Sequence, residues 1–261
     1  MENHIKNGLF IFHRDLRITD NVGFTEACFQ CDTLYVAFIF DPRQVVQKNN
    51  KYRSKHAIHF MFESLADLYD EIHDKYNCKM SFLFGDYENI LRDLIETLSL
   101  NAIFENRDYT PFAKKREDET RLICKNRGVQ YNCISCDYYL LEPGTVLTGG
   151  TNGAAYKKFT PFYEEFNRII SHIKIIPKSY PPRKTNVISS PHPFEKTITL
   201  EKANRMFLGK SNEYGHEPLV HGGRTNGMDK LRKAVKNQSG YGTNRDLFMY
   251  ETTFLSAYLH P

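Results

Sequence analysis

Four charged or titratable side chains follow directly on a short apolar run near the start of the chain. The run is residues 8–12 of GLFIFHRDLRITDN, and its length is typical of a buried strand. The side chains after it are His13, Arg14, Asp15 and Arg17. Such a cluster at a strand end could serve acid–base catalysis, cradle a phosphate, or form a structural clamp of opposite charges.

A nucleotide site of the usual kind is not indicated. It would need a glycine-rich turn after the first strand, so that backbone amides could approach a pyrophosphate. That turn, HRDLRITDN, contains no glycine, and the chain has no P-loop, G-x-S-x-G or H-E-x-x-H motif. The segment GGTNG (149–153) does not follow a strand and is interpreted as a flexible turn.

The cysteines and histidines do not predict a metal site. Two C-x-x-C pairs lie roughly a hundred residues apart, whereas the pairs of a zinc site normally lie about 15–20 apart. These pairs are Cys28 with Cys31 and Cys133 with Cys136. Ordinary buried thiols are therefore favoured. His56 and His59 lie three apart on a predicted helix, but no third ligand is apparent.

Composition points to a soluble globular protein. Hydrophobic residues make up 41% and charged residues 25%, and the formal net charge is +4. This mild excess of positive charge permits contact with nucleic acid without indicating it. The first residues, MENHIKNG, carry no targeting pattern, and no apolar segment approaches the ~18 residues of a membrane span. We expect an intracellular, soluble protein.

The first 145 residues alternate strand and helix signals. Apolar runs occur at 33–40, 79–84 and 101–106, and a fifth extended segment begins near residue 129. Between them, stretches such as KHAIHFMFESLADLYDEI place apolar residues at intervals of three and four. This pattern predicts a Rossmann-like α/β domain over 1–145, with a parallel sheet and helices on both faces.

The second half has a different character. Residues 146–219 read as an interdomain linker with helices at 156–173 and 199–208, and Pro177, Pro181, Pro182, Pro191 and Pro193 punctuate it. We expect the linker to lie over a surface. Residues 220–261 are helical in pattern but too few for an independent core. They are predicted to open a larger helical domain.

A series of sequence blocks, in order, resembles the DNA photolyase and cryptochrome family. They begin with LFIFHRDLRITDN and YRSKHAIHFMFESLADL, and continue through the GD after the third strand and NRDYTPFAKKREDE. LEPGTVLT, YKKFTPF, GGRTNGMDKLRKAV and finally YGTNRD with TTFLSAYL complete the series. The resemblance covers almost the whole chain.

The resemblance implies a fold and an activity. Family members have an α/β domain, a long linker and a helical domain that holds FAD. They are deoxyribodipyrimidine photo-lyases, in which light-excited reduced flavin donates an electron that splits a pyrimidine dimer flipped out of damaged DNA. Many also carry an antenna chromophore, whose identity here is unknown. Phe112 and Ala113 stand where folate-binding members have a polar pair, so a folate antenna is not expected.

The family's flavin-binding residues carry over to a few positions. Tyr241 matches a tyrosine near the start of the flavin domain, and TTFLS matches a segment that wraps the FAD phosphates. Its matching residues are Thr252, Thr253, Leu255 and Ser256. Arg245 aligns with a contact to the DNA phosphates. A polar helix cap without a ligand is the alternative for this segment, and no catalytic residue or metal ligand is assigned.

Two departures from the family bear on activity. The chain ends at LSAYLHP, where family members continue through the FAD domain, and it lacks the tryptophans of the usual electron relay. We therefore expect a truncated photolyase-like protein that is inactive alone unless a second polypeptide supplies the remaining helices. The alternatives are a non-catalytic α/β module that binds a pigment, nucleotide or partner, or a decayed fragment.

For the cluster at the first strand, a structural clamp is favoured over direct ligand contact, and a catalytic centre is not expected. Arg14, Asp15 and Arg17 would satisfy one another and the neighbouring backbone while packing against the linker. Asp20 or Asn21 is placed to cap the helix that follows.

Overall fold

A computed structural model describes residues 4–135, 137–150, 153–173, 186–187, 196–209, 218, 220–247, 249, 253 and 255–259. The strands are β1 (Ile5–Phe12), β2 (Cys31–Phe40), β3 (Ser81–Phe84), β4 (Ala102–Asn106), β5 (Gln130–Ile134) and the short β6 (Asn186–Val187). The helices of the first half are α1 (Val22–Gln30), α2 (Pro42–Val45), α3 (Lys55–Tyr76), α4 (Tyr87–Thr97) and α5 (Pro111–Arg127). Those of the second half are α6 (Phe159–Ile170), α7 (Leu200–Leu208), α8 (Arg224–Asn237) and α9 (Tyr241–Asn244).

The sheet is parallel, as predicted. Its strand order is β3-β2-β1-β4-β5, and β6 pairs in parallel with β2. After β3 the chain returns to the other side of β1 to form β4, so the direction of winding reverses between β1 and β4. In open α/β sheets, ligands bind outside the carboxyl ends of the strands at such a reversal. The cluster that begins at His13 follows β1 at this point.

Helices cover both faces of the sheet, which confirms the α/β prediction. Because successive side chains of a strand point to opposite faces, β1 contributes to two cores. Phe10 and Phe12 belong to the core under α1 and α3, and Leu9 and Ile11 to the core under α4 and α5. A strand buried on both faces reads as one continuous apolar run.

Local sequence signals determine where α5 begins and ends. The Thr110 hydroxyl accepts from the Ala113 N–H at the start of α5, and Pro111 occupies the first turn, where a missing N–H is harmless. Gly128, at φ 66°, ends the same helix.

Part of the predicted linker belongs to the main core. The backbone of Lys196 and Ile198 bonds to the open edge of β3, at Phe84 and Phe82 respectively. In α7, Phe207 is buried among aromatic rings of the sheet and α3. The linker therefore extends the sheet edge and core at these residues instead of only lying over them. The five prolines named above lie outside the described residues.

Helix α6 covers 159–170 of the predicted 156–173 and buries none of its residues. In the described part of the chain, no helix combines the length and apolar character needed to span a membrane.

Candidate functional site

Asp15 is the centre of the cluster that follows β1. It is 2% exposed and accepts three hydrogen bonds, from the His13 N–H (2.9 Å), Asn106 Nδ2 (2.6 Å) and Asn21 Nδ2 (3.2 Å). The Asn106 Oδ1 accepts in turn from the Gly23 N–H at 2.9 Å. Asp15 thus joins the end of β1, the start of α1 and the end of β4.

The two arginines pair outside the cluster. Arg14 Nη1 lies 3.6 Å from Oδ2 of Asp108, which follows β4. Arg17 Nη2 donates to both carboxylate oxygens of Asp137, each at 3.1 Å. The prediction of a clamp is confirmed, but the prediction that these charges satisfy one another is wrong. Their partners follow β4 and β5, because the carboxyl ends of parallel strands meet at one edge of the sheet. Arg17 therefore pairs with Asp137, which follows β5, and not with a residue of the predicted linker 146–219.

Asn21, not Asp20, caps α1. Its Oδ1 accepts from the Phe24 N–H at 2.9 Å, while Asp20 adopts a left-handed conformation (φ 54°) that turns the chain into the helix. The choice between the two residues, left open by the sequence, is settled by this geometry.

A pocket of about 320 Å³ opens at the carboxyl edge of the sheet, and we call it the sheet-edge pocket. Its apolar walls are Phe38, Ile39, Phe40, Val45, Ile58, Met61, Phe112 and Ala113. Its polar lining is His13, Arg14, Gln44, Asp108, Thr110 and Arg116. An apolar cleft with a few convergent polar groups is the usual form of a small-molecule site.

Behind His13 lies a buried carboxylate, Glu105, on β4. Its oxygens contact His13 Nε2 (2.6 Å) and the Tyr131 hydroxyl. Burial alone would raise the pKa of Glu105, but the hydrogen bond and charge of His13, the charge of Arg116 and the Tyr131 hydrogen bond outweigh it. The pKa of Glu105 is lowered to about 2, so this carboxylate is ionised at neutral pH.

Arg116, on α5, is a buried cation at the same pocket. Its side chain lies beside the rings of Tyr87 and Phe112, 5.9 Å and 6.0 Å from their centroids, and the residue is only 7% exposed. Its Nε finds no hydrogen-bond acceptor among the described residues.

A larger, open groove of about 1120 Å³ adjoins this pocket, and His13, Arg14 and Met61 line both. We call it the interhelical groove. Its other lining residues come from the loop after β1, the first half of α3, Tyr138, the segment 218–231 and residues 255–259. The lining is mainly apolar, and α8 presents Met228 and Leu231 to it.

Hydrogen bonds seat the start of α8 on α3. Glu63 contacts His221 Nδ1 at 2.8 Å and accepts from the Gly222 N–H at 2.6 Å. Asp67 accepts from the N–H and hydroxyl of Thr225 at 3.1 Å and 2.6 Å. One face of α3 thus satisfies the N–H groups that begin α8.

Glycine is required at this contact because the backbones approach closely. A Cβ on Gly222 would lie 2.1 Å from the Phe60 carbonyl oxygen, and Gly223 has a φ of +99°. Tyr258 packs on Phe60, and its hydroxyl donates to the His221 carbonyl. The segment 255–259 is thereby fixed as one wall of the groove.

The residues predicted from the family resemblance are only partly brought together. Leu255 and Ser256 line the interhelical groove, whereas Tyr241 and Arg245 are exposed on and after α9 and do not line it. Thr253 is half-buried, and Thr252 lies outside the described residues.

Residues 255–259 form one turn, in which the Leu255 carbonyl accepts from the N–H groups of Tyr258 and Leu259. The N–H groups at the start of a helical turn have no partner within the turn, and such groups can bind an anion such as the phosphates of a dinucleotide. The groove is open, and residues 255–259 form one of its walls.

The sequence analysis did not single out Arg116, which lines the sheet-edge pocket, or Glu105, which lies behind His13. Glu105 stands inside the apolar run NAIFEN, and an acidic residue in a buried strand is a usable signal. Arg116 lies in the charged stretch KKREDE, where nothing distinguishes the one side chain that points inward.

The described cysteines of the two C-x-x-C pairs lie far apart in the fold. Cys28 is on α1 and Cys31 begins β2, whereas Cys133 is on β5, three strand spacings away across the sheet, or at least about 14 Å. Cys136 is outside the described part of the chain. No group of three or more potential ligands forms within that part. Burial raises the pKa of the Cys28, Cys31 and Cys133 thiols to about 12.

Comparison with known proteins identifies relatives. A family model described as DNA photolyase matches residues 9–182. The chain is 26% identical over 161 residues to a deoxyribodipyrimidine photo-lyase of Synechococcus, covering 60% of this chain and 31% of that protein. It is 36% identical over 104 residues to cryptochrome DASH of Idiomarina loihiensis, covering 37% and 22%.

Solved structures share the fold. An archaeal photolyase from Sulfolobus tokodaii, whose structure contains two FAD molecules, is 29% identical with a TM-score of 0.72. The match covers 97% of this chain and 51% of that one. A class III photolyase from Agrobacterium tumefaciens, 22% identical with a TM-score of 0.76, shows the same fold over 97% and 50%. The chain thus spans about half the length of these structures, and less of the two sequence relatives.

Proposed function

Because the chain belongs to the DNA photolyase family, we propose that it forms the α/β domain, linker and opening of the FAD-binding domain of a light-driven DNA-repair flavoprotein. These parts are residues 1–145, 146–219 and 220–261. The observation that carries the proposal is the family match over residues 9–182, in a chain whose fold seats the start of α8 against α3 of the α/β domain. A protein that acts on DNA works inside the cell, and we place this one there.

Residues near the end of the chain would hold the cofactor. When bound, FAD would supply the electron that opens a pyrimidine dimer. Thr252, Thr253, Leu255 and Ser256 would hold its phosphate end with hydroxyl and backbone N–H groups. Tyr241, which does not line the groove, is assigned to the cofactor from the family resemblance alone. The exposed guanidinium of Arg245 would bind a phosphate of the damaged DNA.

We further propose that a helical polypeptide segment covers the interhelical groove, within the same protein or as a second polypeptide. The relatives are about twice as long as this chain, and the groove presents an apolar lining to solvent. Bound between the groove and such a segment, a flavin ring would have protein on both sides, which a buried ligand needs.

Reconstitution tests this proposal. The 261-residue chain would be purified in the presence of FAD in two samples. The first would contain the chain alone, and the second would also contain the helical polypeptide, encoded in the same genome, that continues the domain. Flavin absorption and light-dependent repair of a dimer-containing oligonucleotide should appear only in the second sample. Ser256→Ala should weaken flavin retention there, whereas Ser171→Ala, on the exposed end of α6, should not. Complete complexes that hold no flavin would contradict the proposal.

A second candidate function is ligand binding by the α/β domain itself. The specific observation is the sheet-edge pocket, where a buried guanidinium lies at the reversal of the strand order. In this function the domain is a pigment- or nucleotide-binding module, and it needs no helical partner.

A further inference from the structure

Two walls of the interhelical groove are helix faces. Along α8 the lining residues recur at intervals of three and four and form one stripe, which consists of Arg224, Gly227, Met228 and Leu231. Along α3 the lining residues also share one face, which consists of His56, Ala57, Phe60, Met61 and Ser64. A groove between two helix faces suits a third helix, which packs its own apolar stripe against both.

The size of the groove and the exposure of its apolar side chains also favour a polypeptide. Its volume of about 1120 Å³ exceeds the upper range of small-molecule pockets, roughly 1,000 Å³. Leu231 and Leu259 line it and remain 40% and 63% exposed. An occupant that removes both leucines from water must therefore spread along the groove.

The charge of the lining restricts the chemistry of this occupant. Among the described residues that line the groove there is no aspartate or glutamate, whereas three are arginines and two are histidines. These five are His13, Arg14, Arg17, His56 and Arg224. A surface with cations of one sign beside apolar side chains is complementary to an acidic, amphipathic partner.

Carboxylates near the groove are engaged elsewhere. Asp108 and Asp137, which pair with the loop after β1, have side chains that are only 7% and 0% exposed. Glu63 and Asp67 accept hydrogen bonds from the N–H groups that begin α8. No carboxylate of the described part of the chain pairs with Arg224, which is half-buried. The positive charge of the groove is therefore available to an occupant.

We infer that the helical segment that covers the interhelical groove is acidic and amphipathic, with its apolar stripe against Met228 and Leu231 and its carboxylates toward the arginines of the lining. This inference rests on the first proposed function and specifies the chemistry of the partner in it. Opposite charges would steer the segment to the groove and fix its register there.

Fluorescence anisotropy of three labelled peptides with the full chain tests the inference. The peptides are helices of about 18 residues, roughly 27 Å long, that share one leucine stripe and carry Glu, Gln or Lys at the flanking positions. The Glu peptide should bind about tenfold more tightly than the Lys peptide, with the Gln peptide between them. This preference should shrink as salt rises from about 0.05 M to about 0.5 M. Equal affinities, the reverse order, or no binding of the Glu peptide would overturn the inference.

Charge variants locate the preference, which is necessary because the whole chain carries a net charge of +4. Arg224→Gln should weaken binding of the Glu peptide about threefold, the value of a partly exposed ion pair, and leave the Lys peptide unweakened. The matched control is Lys233→Gln, because Lys233 is an exposed cation of the same helix that does not line the groove. Equal effects of the two variants would show that the charge of the groove does not select the peptide.

Apolar variants locate the stripe. Leu231→Gln should weaken all three peptides about fivefold, whereas Leu122→Gln, at an exposed leucine of α5 outside the groove, should change none of them. Urea unfolding establishes which variants fold, and Met228→Gln replaces Leu231→Gln if that variant does not. A folded groove variant that binds the peptides like the Leu122 control would overturn the inference.

A single-stranded oligonucleotide serves as the competing polyanion. If it displaces the Glu peptide and its own binding is weakened equally by Leu231→Gln, the occupant is nucleic acid and the inference is overturned. The peptide titrations use neither flavin nor the natural complement, so they can fail separately from the reconstitution test. Reconstituted flavin binding and repair without any preference among the peptides would contradict this inference and leave the first proposed function standing. Preference for the Glu peptide with complete complexes that hold no flavin would do the reverse.

Discussion

Replacing Asp15 by alanine should destabilise the protein more than the loss of any exposed charge. The carboxylate accepts hydrogen bonds from His13, Asn21 and Asn106 while 2% exposed. Each hydrogen bond to a charged group is worth about 1.5–3 kcal/mol, so the three bonds together give an upper limit near 9 kcal/mol. Two facts reduce this limit.

First, both asparagine amides keep a second acceptor: Asn106 Nδ2 donates to Asn21 Oδ1 at 2.8 Å, and Asn21 Nδ2 to the Arg17 carbonyl at 2.9 Å. Only the His13 N–H loses its sole acceptor. Second, removing Asp15 relieves its repulsion of Asp137, whose pKa is raised by burial and then by Asp15. We therefore expect a loss of about 3 kcal/mol in the free energy of unfolding.

The assay is urea unfolding followed by circular dichroism. With a slope near 3 kcal/mol per molar urea, the midpoint should fall by about 1 M. The control is Asp32→Ala, because Asp32 pairs with His4 at the surface and is 58% exposed. It should change the free energy of unfolding by less than about 1 kcal/mol. If the two variants unfold at the same urea concentration, the clamp does not hold the strand ends together.

Three further predictions concern other parts of the chain. Glu105 should make the free energy of unfolding depend on pH in the acid range. Because its pKa in the folded protein, about 2, is below the ordinary 4.5, its contribution to stability is complete above about pH 5 and is lost as the pH falls toward 2. Glu105→Gln should flatten that part of the stability–pH curve, and an unchanged curve would show that the carboxylate is not held as an anion. Gly222→Ala should release the start of α8 from α3, and amide exchange should become faster across 220–237 while α4 and α5 are unaffected. The control is Gly242→Ala, which should leave exchange unchanged because no atom lies within 4 Å of the new Cβ. Equal effects of the two variants would contradict the close approach of the backbones at Gly222. In DNA titrations of the reconstituted complex, Arg245→Ala should lower the slope of log affinity against log salt by about 1, whereas Arg168→Ala, on the exposed helix α6, should not. A slope unaltered by Arg245→Ala would remove this residue from the DNA contact.

The sheet could be predicted from the sequence because its signals are local. Apolar runs buried on both faces and helical periods between them predict five parallel strands, and Thr110, Pro111 and Gly128 fix helix ends. The strand order depends on contacts between distant segments, so neither Asp108 nor Asp137 could be named as a partner of the arginines. The burial of Phe207 was missed for the same reason.

Residues of the candidate site could be predicted where the family resemblance indicated them. They could not be predicted where a residue's role depends on its burial in the fold. The stretch TTFLS indicated Leu255 and Ser256, which line the interhelical groove. Arg116 is one of several charged residues in succession, and only the packing of α5 against the sheet selects it as the buried one.

The most direct test of the central claim is the absorption spectrum of the reconstituted protein before and after illumination with damaged DNA. We expect flavin bands that require both this chain and its helical complement, together with light-dependent loss of pyrimidine dimers. A stable complex of the two parts that binds no flavin, or flavin held by this chain alone without the complement, would contradict it.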